Sequence, residues 1–354
     1  SLANQAAAPS KLVSSLLGLV SNMLSSTPGA IWAFLRGSNV LFPAPTATTT
    51  ARWGHDSSRN AILAAERVAG TYPTTLSLID LIHALVLEEQ ISACAVTEPA
   101  FAAMKQGVLV RALSWVRDEI WTQYGSWRFT DLAEKYELAK RIVNLYRLVL
   151  DAGELAPLAA QGQFDPVVAV VVDALLAKAT ASQLAPILAP LAAGPDPILL
   201  LRKALRYADA RAAELLVEAT LALTLKLVRL RRRIAGTTSS LLETMCLTHG
   251  LAAGIGGPAR RDLVAALGAF VTSKGVSSIA ATSAARVLAL LCVGSSEWQP
   301  RPPSFIALLG GSDKVERFVV AILAIVEDIN QEDHHVAIWD LVCYLSTSRS
   351  GLGC

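Results

Sequence analysis

Apolar residues return near every 3.6 positions along almost the whole chain, and no stretch sustains the two-residue alternation of a half-buried strand. That period constrains the fold more than any other feature, because the two patterns place side chains on different faces. In residues 132–150, Leu132, Tyr136, Ala139, Val143, Tyr146 and Leu150 form one stripe, with Asp131 at its entrance and Glu134 three residues on as a capping pair. In residues 312–329 the same spacing links Val315, Phe318, Ile322, Ile325 and Ile329, behind a similar start at Asp313 and Glu316. About fifteen such segments follow one another, and the short Gly, Pro and Ser punctuation between them sets neighbouring helices antiparallel. The expectation is an all-α chain, an irregular α-solenoid of HEAT or armadillo-like helical pairs, although no repeat of fixed period stands out. A compact many-helix globule is the alternative. A nucleotide-binding α/β sheet is disfavoured, since strands never alternate with helices.

A chain of 354 residues can bury a large core, and 53% hydrophobic with only 6% aromatic content makes Leu, Ala, Val and Ile its main material. The mean hydropathy of +0.45 would suit a membrane protein, but no uncharged apolar run is long enough to span a bilayer. The best candidate, PVVAVVVDALLA at 166–177, is short and carries Asp173, so it reads as a buried core helix and no transmembrane segment is expected. A net charge of +2 exerts no strong pull on nucleic acid or anionic lipid. Cys94, Cys246, Cys292, Cys343 and Cys354 are scattered, odd in number and without a CxxC pair, which argues against a disulfide framework or zinc site and for a reducing compartment. The opening SLANQAAAPSKLVSSLLGLV lacks a basic segment ahead of its apolar stretch and does not read as a signal peptide. The start at Ser1 reads as a cut, so residues 1–354 are expected to be one solenoid fragment of a longer protein, with exposed loops at 38–58 and 294–303. Proline, threonine and serine set the first loop; Pro300, Pro302 and Pro303 set the second.

Motifs that carry chemistry are scarce. There is no GxxxxGK[ST], GxSxG or HExxH pattern. The glycine cluster GIGGP at 254–258 follows no strand and reads as a helix boundary before Pro258. EDHHVAIWD at 332–340 gathers Glu332, Asp333, His334, His335 and Asp340, but adjacent histidines on a helix do not share a face, so a first helical turn with solvated acids explains it better than a metal site. Asp80 and His83, three apart, align a carboxylate with an imidazole; a paired histidine in a helix interface is the plainer account. The run KLVRLRRRIAG at 226–236 places Lys226, Arg229, Arg231, Arg232 and Arg233 before Gly236, where cations favour a helix C-terminus. Arg229, Arg231, Arg232 and Arg233 are also the candidates for a partner-binding basic patch, for an acidic peptide, RNA or lipid head groups. No catalytic, cofactor-binding or metal-binding residue emerges, and no cofactor is expected.

Three patterns in the first 150 residues occur together: AIWAFLRGSNVLF (30–42) with Trp32, Leu35 and Leu41; TYPTTLSLIDLIHALV (71–86) with Tyr72, Pro73, Leu81 and Leu85; and YGSWRF (124–129) with Tyr124, Trp127, Arg128 and Phe129. In order and spacing they resemble the middle region of the large inner-ring scaffold nucleoporins, nucleoporin-188 and its relatives nucleoporin-192 and nucleoporin-205. The resemblance implies a non-enzymatic α-solenoid scaffold of the nuclear pore complex in the nuclear envelope, serving nucleocytoplasmic transport of protein and mRNA. Its implied partners are other nucleoporins, through linear segments of linker nucleoporins, with no small-molecule substrate and no nucleic acid. A helical-repeat adaptor or transport-receptor-like protein that binds cargo or peptide segments is the alternative. In a solenoid, ring faces fill the turns between helix pairs, so Trp127 and Phe129 are expected to form a joint between helices rather than an open ligand platform.

Overall fold

The computed structural model describes residues 2–37, 58–92, 98–155, 164–233, 240–247, 263–298, 309, 312–326 and 332–347. Among these residues the chain is all-α, without strands. The helices gather into two compact units: residues 1–157 with 163–172, and residues 158–162 with 173–354. No single described helix is long and apolar enough to cross a membrane. The glycine cluster at 254–258, most of the expected loop at 38–58, and Leu41 lie outside the described residues.

The first unit contains α1 (Leu2–Leu24), α2 (Pro28–Gly37), α3 (Ser58–Ala69), α4 (Pro73–Ser92), α5 (Pro99–Trp115), α6 (Leu132–Leu155) and α7 (Pro166–Val172). Four of these helices open on proline, whose missing N–H is no loss in a first turn and whose φ already suits a helix. α4 is the centre, packed against α1, α5 and α6, while α7 closes on α5 and α6. The end of α5 widens into a π-helical turn, Val116–Trp121, that puts Trp115, Val116, Ile120 and Trp121 all in the core. On α6, the expected stripe from Ala139 to Leu150 is buried, but so are Leu138, Ile142, Leu145 and Val149 beside it. The wider face follows from α6 having neighbours on two sides, α4 and α7.

The second unit runs through a π-helical turn (Asp173–Ala177), α8 (Ala181–Ala192), α9 (Asp196–Lys203), α10 (Tyr207–Arg233), α11 (Leu241–Leu247), α12 (Leu263–Thr272), α13 (Ser278–Trp298), α14 (Ser312–Val326) and α15 (Glu332–Thr347). α10 and α13 form its spine; α9 and α8 pack on α10, α12 and α15 on α13. Residues 294–298, expected in a loop, instead complete α13. The helix can reach Trp298 because a proline restricts only itself and the residue before it, and the first proline is Pro300. Residues 299–303 lie outside the described residues. On α14, Phe318 and Ile322 are buried and Val315 is half-buried, whereas Ile329 and the Ile325 side chain are not described.

Candidate functional site

The most constructed place in the first unit is the N-terminus of α4, where three helices meet. A helix start leaves N–H groups without intrahelical partners. Here they are met from elsewhere: the Glu66 carboxylate of α3 accepts from the Thr74 amide at 2.6 Å, from the Thr75 amide at 3.1 Å and from the Thr75 hydroxyl at 2.6 Å. Glu134 of α6 accepts from the Tyr72 amide at 2.7 Å. Glu134 therefore does not complete the capping pair expected with Asp131, which caps α6 alone by accepting from the Ala133 amide. Burial raises the Glu134 carboxyl above the usual carboxylate range, against the pull of the Tyr72 amide.

Onto this start folds the loop that carries Trp127 and Phe129. The Tyr72 ring stacks on Trp127 at 5.1 Å between centroids and lies 4.7 Å from Phe129, while its hydroxyl donates to the Arg128 carbonyl at 2.8 Å. The loop is tied to the turn before α4 as well, since the Thr130 amide and hydroxyl both donate to the Gly70 carbonyl. Gly70 has φ +75, and a Cβ there would press on the Thr130 methyl at 3.2 Å, so the tie needs glycine. The Arg67 guanidinium covers Trp127 at 5.2 Å. Trp127 is 7% exposed. Trp127 thus forms part of a joint between α3, α4 and α6, while Phe129 beside it is half-buried. Burial pushes the Tyr72 hydroxyl up to about 12, so it stays a donor at any physiological pH.

Further along α4, the indole of Trp32 in α2 donates to Glu88 at 2.6 Å. Glu88 and Glu89 both grip Lys105 of α5, each at 3.1 Å, and Lys105 also donates to the Ser92 hydroxyl. Its ammonium lies 5.3 Å from the Trp32 ring centroid and 5.2 Å from that of Phe101. The first sequence pattern, through Trp32, thereby meets an ion cluster on α4 just past the end of the second pattern, between members too far apart in the chain to be paired by inspection. Beside it, between α4, α5, α6 and the start of α7, lies a groove of about 500 Å³. Its walls are mostly apolar, and Glu89, Gln90, Gln106 and Asp165 contribute the polar atoms. The groove exists because the first turns of α5 are Pro99, Ala102 and Ala103, side chains too short to fill the space facing α4 and α7.

In the second unit, helix ends are closed by the same means. Glu214 of α10 accepts from Arg202 at 2.9 Å, from Arg211 at 3.0 Å and from the Ser277 amide at 2.9 Å at the start of α13, while the Ser277 hydroxyl donates to Glu218. The basic run divides. Arg231 turns inward, 2.8 Å from Glu243, which also accepts from the Ser240 hydroxyl in the cap of α11. Burial raises the Glu243 carboxyl, against the Ser240 hydrogen bond and the Arg231 charge. Arg232 donates to the Leu290 carbonyl at 2.7 Å, and only Arg229 and Arg233 of the four stand exposed.

Asp80 and His83 lie on α4 as expected, but Asp80 pairs with Arg141 of α6, which also holds Glu137. His83 is half-buried. In the EDHH stretch, Glu332 opens α15, His335 is half-buried and Asp340 exposed; the Asp333 and His334 side chains lie outside the described residues. Among the described residues no three His, Cys, Asp or Glu side chains are grouped to hold a metal ion. Cys246 is buried and Cys343 exposed.

A family profile described as nucleoporin Nup188, N-terminal subdomain III, matches residues 5–352. The chain belongs to the Nup188 family. The match takes in both units, more than twice the span of the three sequence patterns, and its description is that of the third N-terminal subdomain. Nup188 proteins are structural, non-enzymatic nucleoporins, and membership places this protein in the nuclear pore complex. A search of curated proteins gives no match.

Proposed function

We propose that this Nup188 region is an α-solenoid module of the inner-ring scaffold that holds other nucleoporins by their linear segments and so supports nucleocytoplasmic transport. The observation that carries the reading is the order of packing. Among the described helices of the first unit, each principal pairing joins helices no more than three positions apart in the chain, and in the second α8 with α12 is the sole principal helix pairing that reaches further. Packing confined to helices close together in the chain supports a stacked, quasi-one-dimensional array, which presents long side faces to partners. Cross-helix caps by Glu66 and Glu214 lock the starts of α4 and α13 to their neighbours, as a load-carrying stack requires. The residues of the basic run that stay exposed, Arg229 and Arg233, are assigned to such a partner face. The reading is tested by titrating the purified chain with a panel of short linker-nucleoporin segments in a calorimeter. Saturable binding of at least one segment is expected, and a panel in which none binds would overturn it.

A further inference from the structure

The groove between α4, α5, α6 and α7 is lined on α5 by Pro99, Ala102 and Ala103, whereas large side chains such as Trp32, Trp115 and Trp121 are fully buried elsewhere in the first unit. Its volume of about 500 Å³ falls within the range of pockets that receive ligands, and its lining is largely apolar. That space accepts a few apolar side chains from a passing segment. Its floor is firm: Gln90 is fixed by donating to the Leu148 carbonyl at 2.8 Å, and Gln106 by donating to Asp165 at 2.7 Å. Among the described residues no lysine or arginine lines it. Glu89 and Asp165 are the charged residues among the described ones that line it, and both are acidic. Lys105 is buried and fully engaged by Glu88, Glu89 and Ser92, so it offers nothing to an incoming anion. An acidic segment meets repulsion there, and a basic one is drawn in.

We infer that this groove is a docking site for a short apolar peptide segment that carries a basic residue, its apolar side chains seated over Ala102 and Ala103 and its cation at the acidic mouth. The inference rests on the proposed linear-segment reading and names the face and the chemistry that reading leaves open. Specificity comes from the charge at the mouth, and affinity from the apolar volume.

The probes are short synthetic peptides in which leucine, isoleucine and phenylalanine are flanked by lysine, with matched sets carrying glutamine or glutamate instead. Binding to the intact chain is measured by fluorescence anisotropy, alongside the linker-nucleoporin panel. Ala103 is exposed at the groove, so Ala103→Trp fills the space with little demand on the core. The lysine set is expected to bind, the glutamate set to bind at least about tenfold more weakly, and Ala103→Trp to weaken the lysine set by about tenfold or more. Asp165→Asn, at an exposed lining position, is expected to weaken the lysine set a few-fold and leave the glutamine set unchanged. If the linker panel binds wild type and Ala103→Trp equally well, the groove assignment falls while the scaffold reading stands. If no linker segment binds wild type, the scaffold reading falls first. Equal binding of the lysine and glutamate sets, or concentration-dependent self-association abolished by Ala103→Trp, would overturn the inference in favour of an uncharged ligand or a second copy.

Discussion

Tyr72 and Trp127, 55 residues apart, stack with their rings 5.1 Å apart and inclined by only 17°. Because the same tyrosine donates its hydroxyl to the Arg128 carbonyl and its amide to Glu134, one side chain and its backbone join the turn before α4, the aromatic loop and the first turn of α6. A hydroxyl that is hydrogen-bonded and one that is not respond oppositely to deletion, and the first unit contains both. Tyr72→Phe removes the bond to Arg128 and is expected to lower stability by about 1 kcal/mol. The Tyr146 hydroxyl is buried and has no hydrogen-bond partner among the described residues, so Tyr146→Phe is expected to raise stability by about 1 kcal/mol. Urea unfolding of the two variants checks the pair, and the same sign for both would contradict it.

The joint was partly legible in the sequence. Rings at the mouth of an amphipathic helix called for burial, and the 3.6 period gave α6 and its core stripe. The partner of the rings was not legible, since Tyr72 and Glu66 reach the site only through the turn at Gly70 and the fold of α4 onto α6. Local rules also misassigned groups that distant partners claim. Glu134 left its own capping box for the Tyr72 amide, and Arg231 left a solvent-facing run for Glu243 on the next helix. The groove had a faint one-dimensional trace, an alanine-rich first turn after Pro99, but nothing in the order of residues states that α4 and α7 would stand opposite it.

Leu205 adopts φ 59, a left-handed conformation that costs a residue with a Cβ roughly 1–2 kcal/mol. It ends α9 in a Schellman motif, in which the Arg206 amide donates to the Leu201 carbonyl and the Leu205 amide to that of Arg202. The side chain is 72% exposed, so little burial is lost with it. Leu205→Gly is therefore expected to stabilise the protein by about 1 kcal/mol, read as a higher urea midpoint with unchanged slope. A lower midpoint would show that the leucine is held by contacts and that the strain is offset.

His83 supplies a pH dependence of definite sign. Burial lowers its pKa, opposed by Asp80 and reinforced by Arg147; Asp80 itself pairs with Arg141, which also holds Glu137. As pH falls below the ordinary histidine value of about 6.5, the unfolded chain takes up the proton before the folded one does. The unfolded state then binds more protons, so this group's contribution to stability declines with acidification through that window and is intact above it. His83→Gln removes the titration. The difference in unfolding free energy between wild type and variant is expected to change between pH 7.5 and pH 5.5, with wild type losing more. A difference that stays constant would show that His83 is solvated.

The central claim is that the aromatic loop is a structural joint of a scaffold and not a ligand site, and Trp127→Ala tests it most directly. The ring is 7% exposed between Tyr72 and the Arg67 guanidinium, so its deletion is expected to cost about 3–5 kcal/mol in urea unfolding, the range for a large buried aromatic. Measured at low temperature on the fraction that remains folded, affinity for linker-nucleoporin segments should equal that of wild type. A Trp127→Ala protein as stable as wild type that has lost those segments would contradict the account and make the loop the binding site.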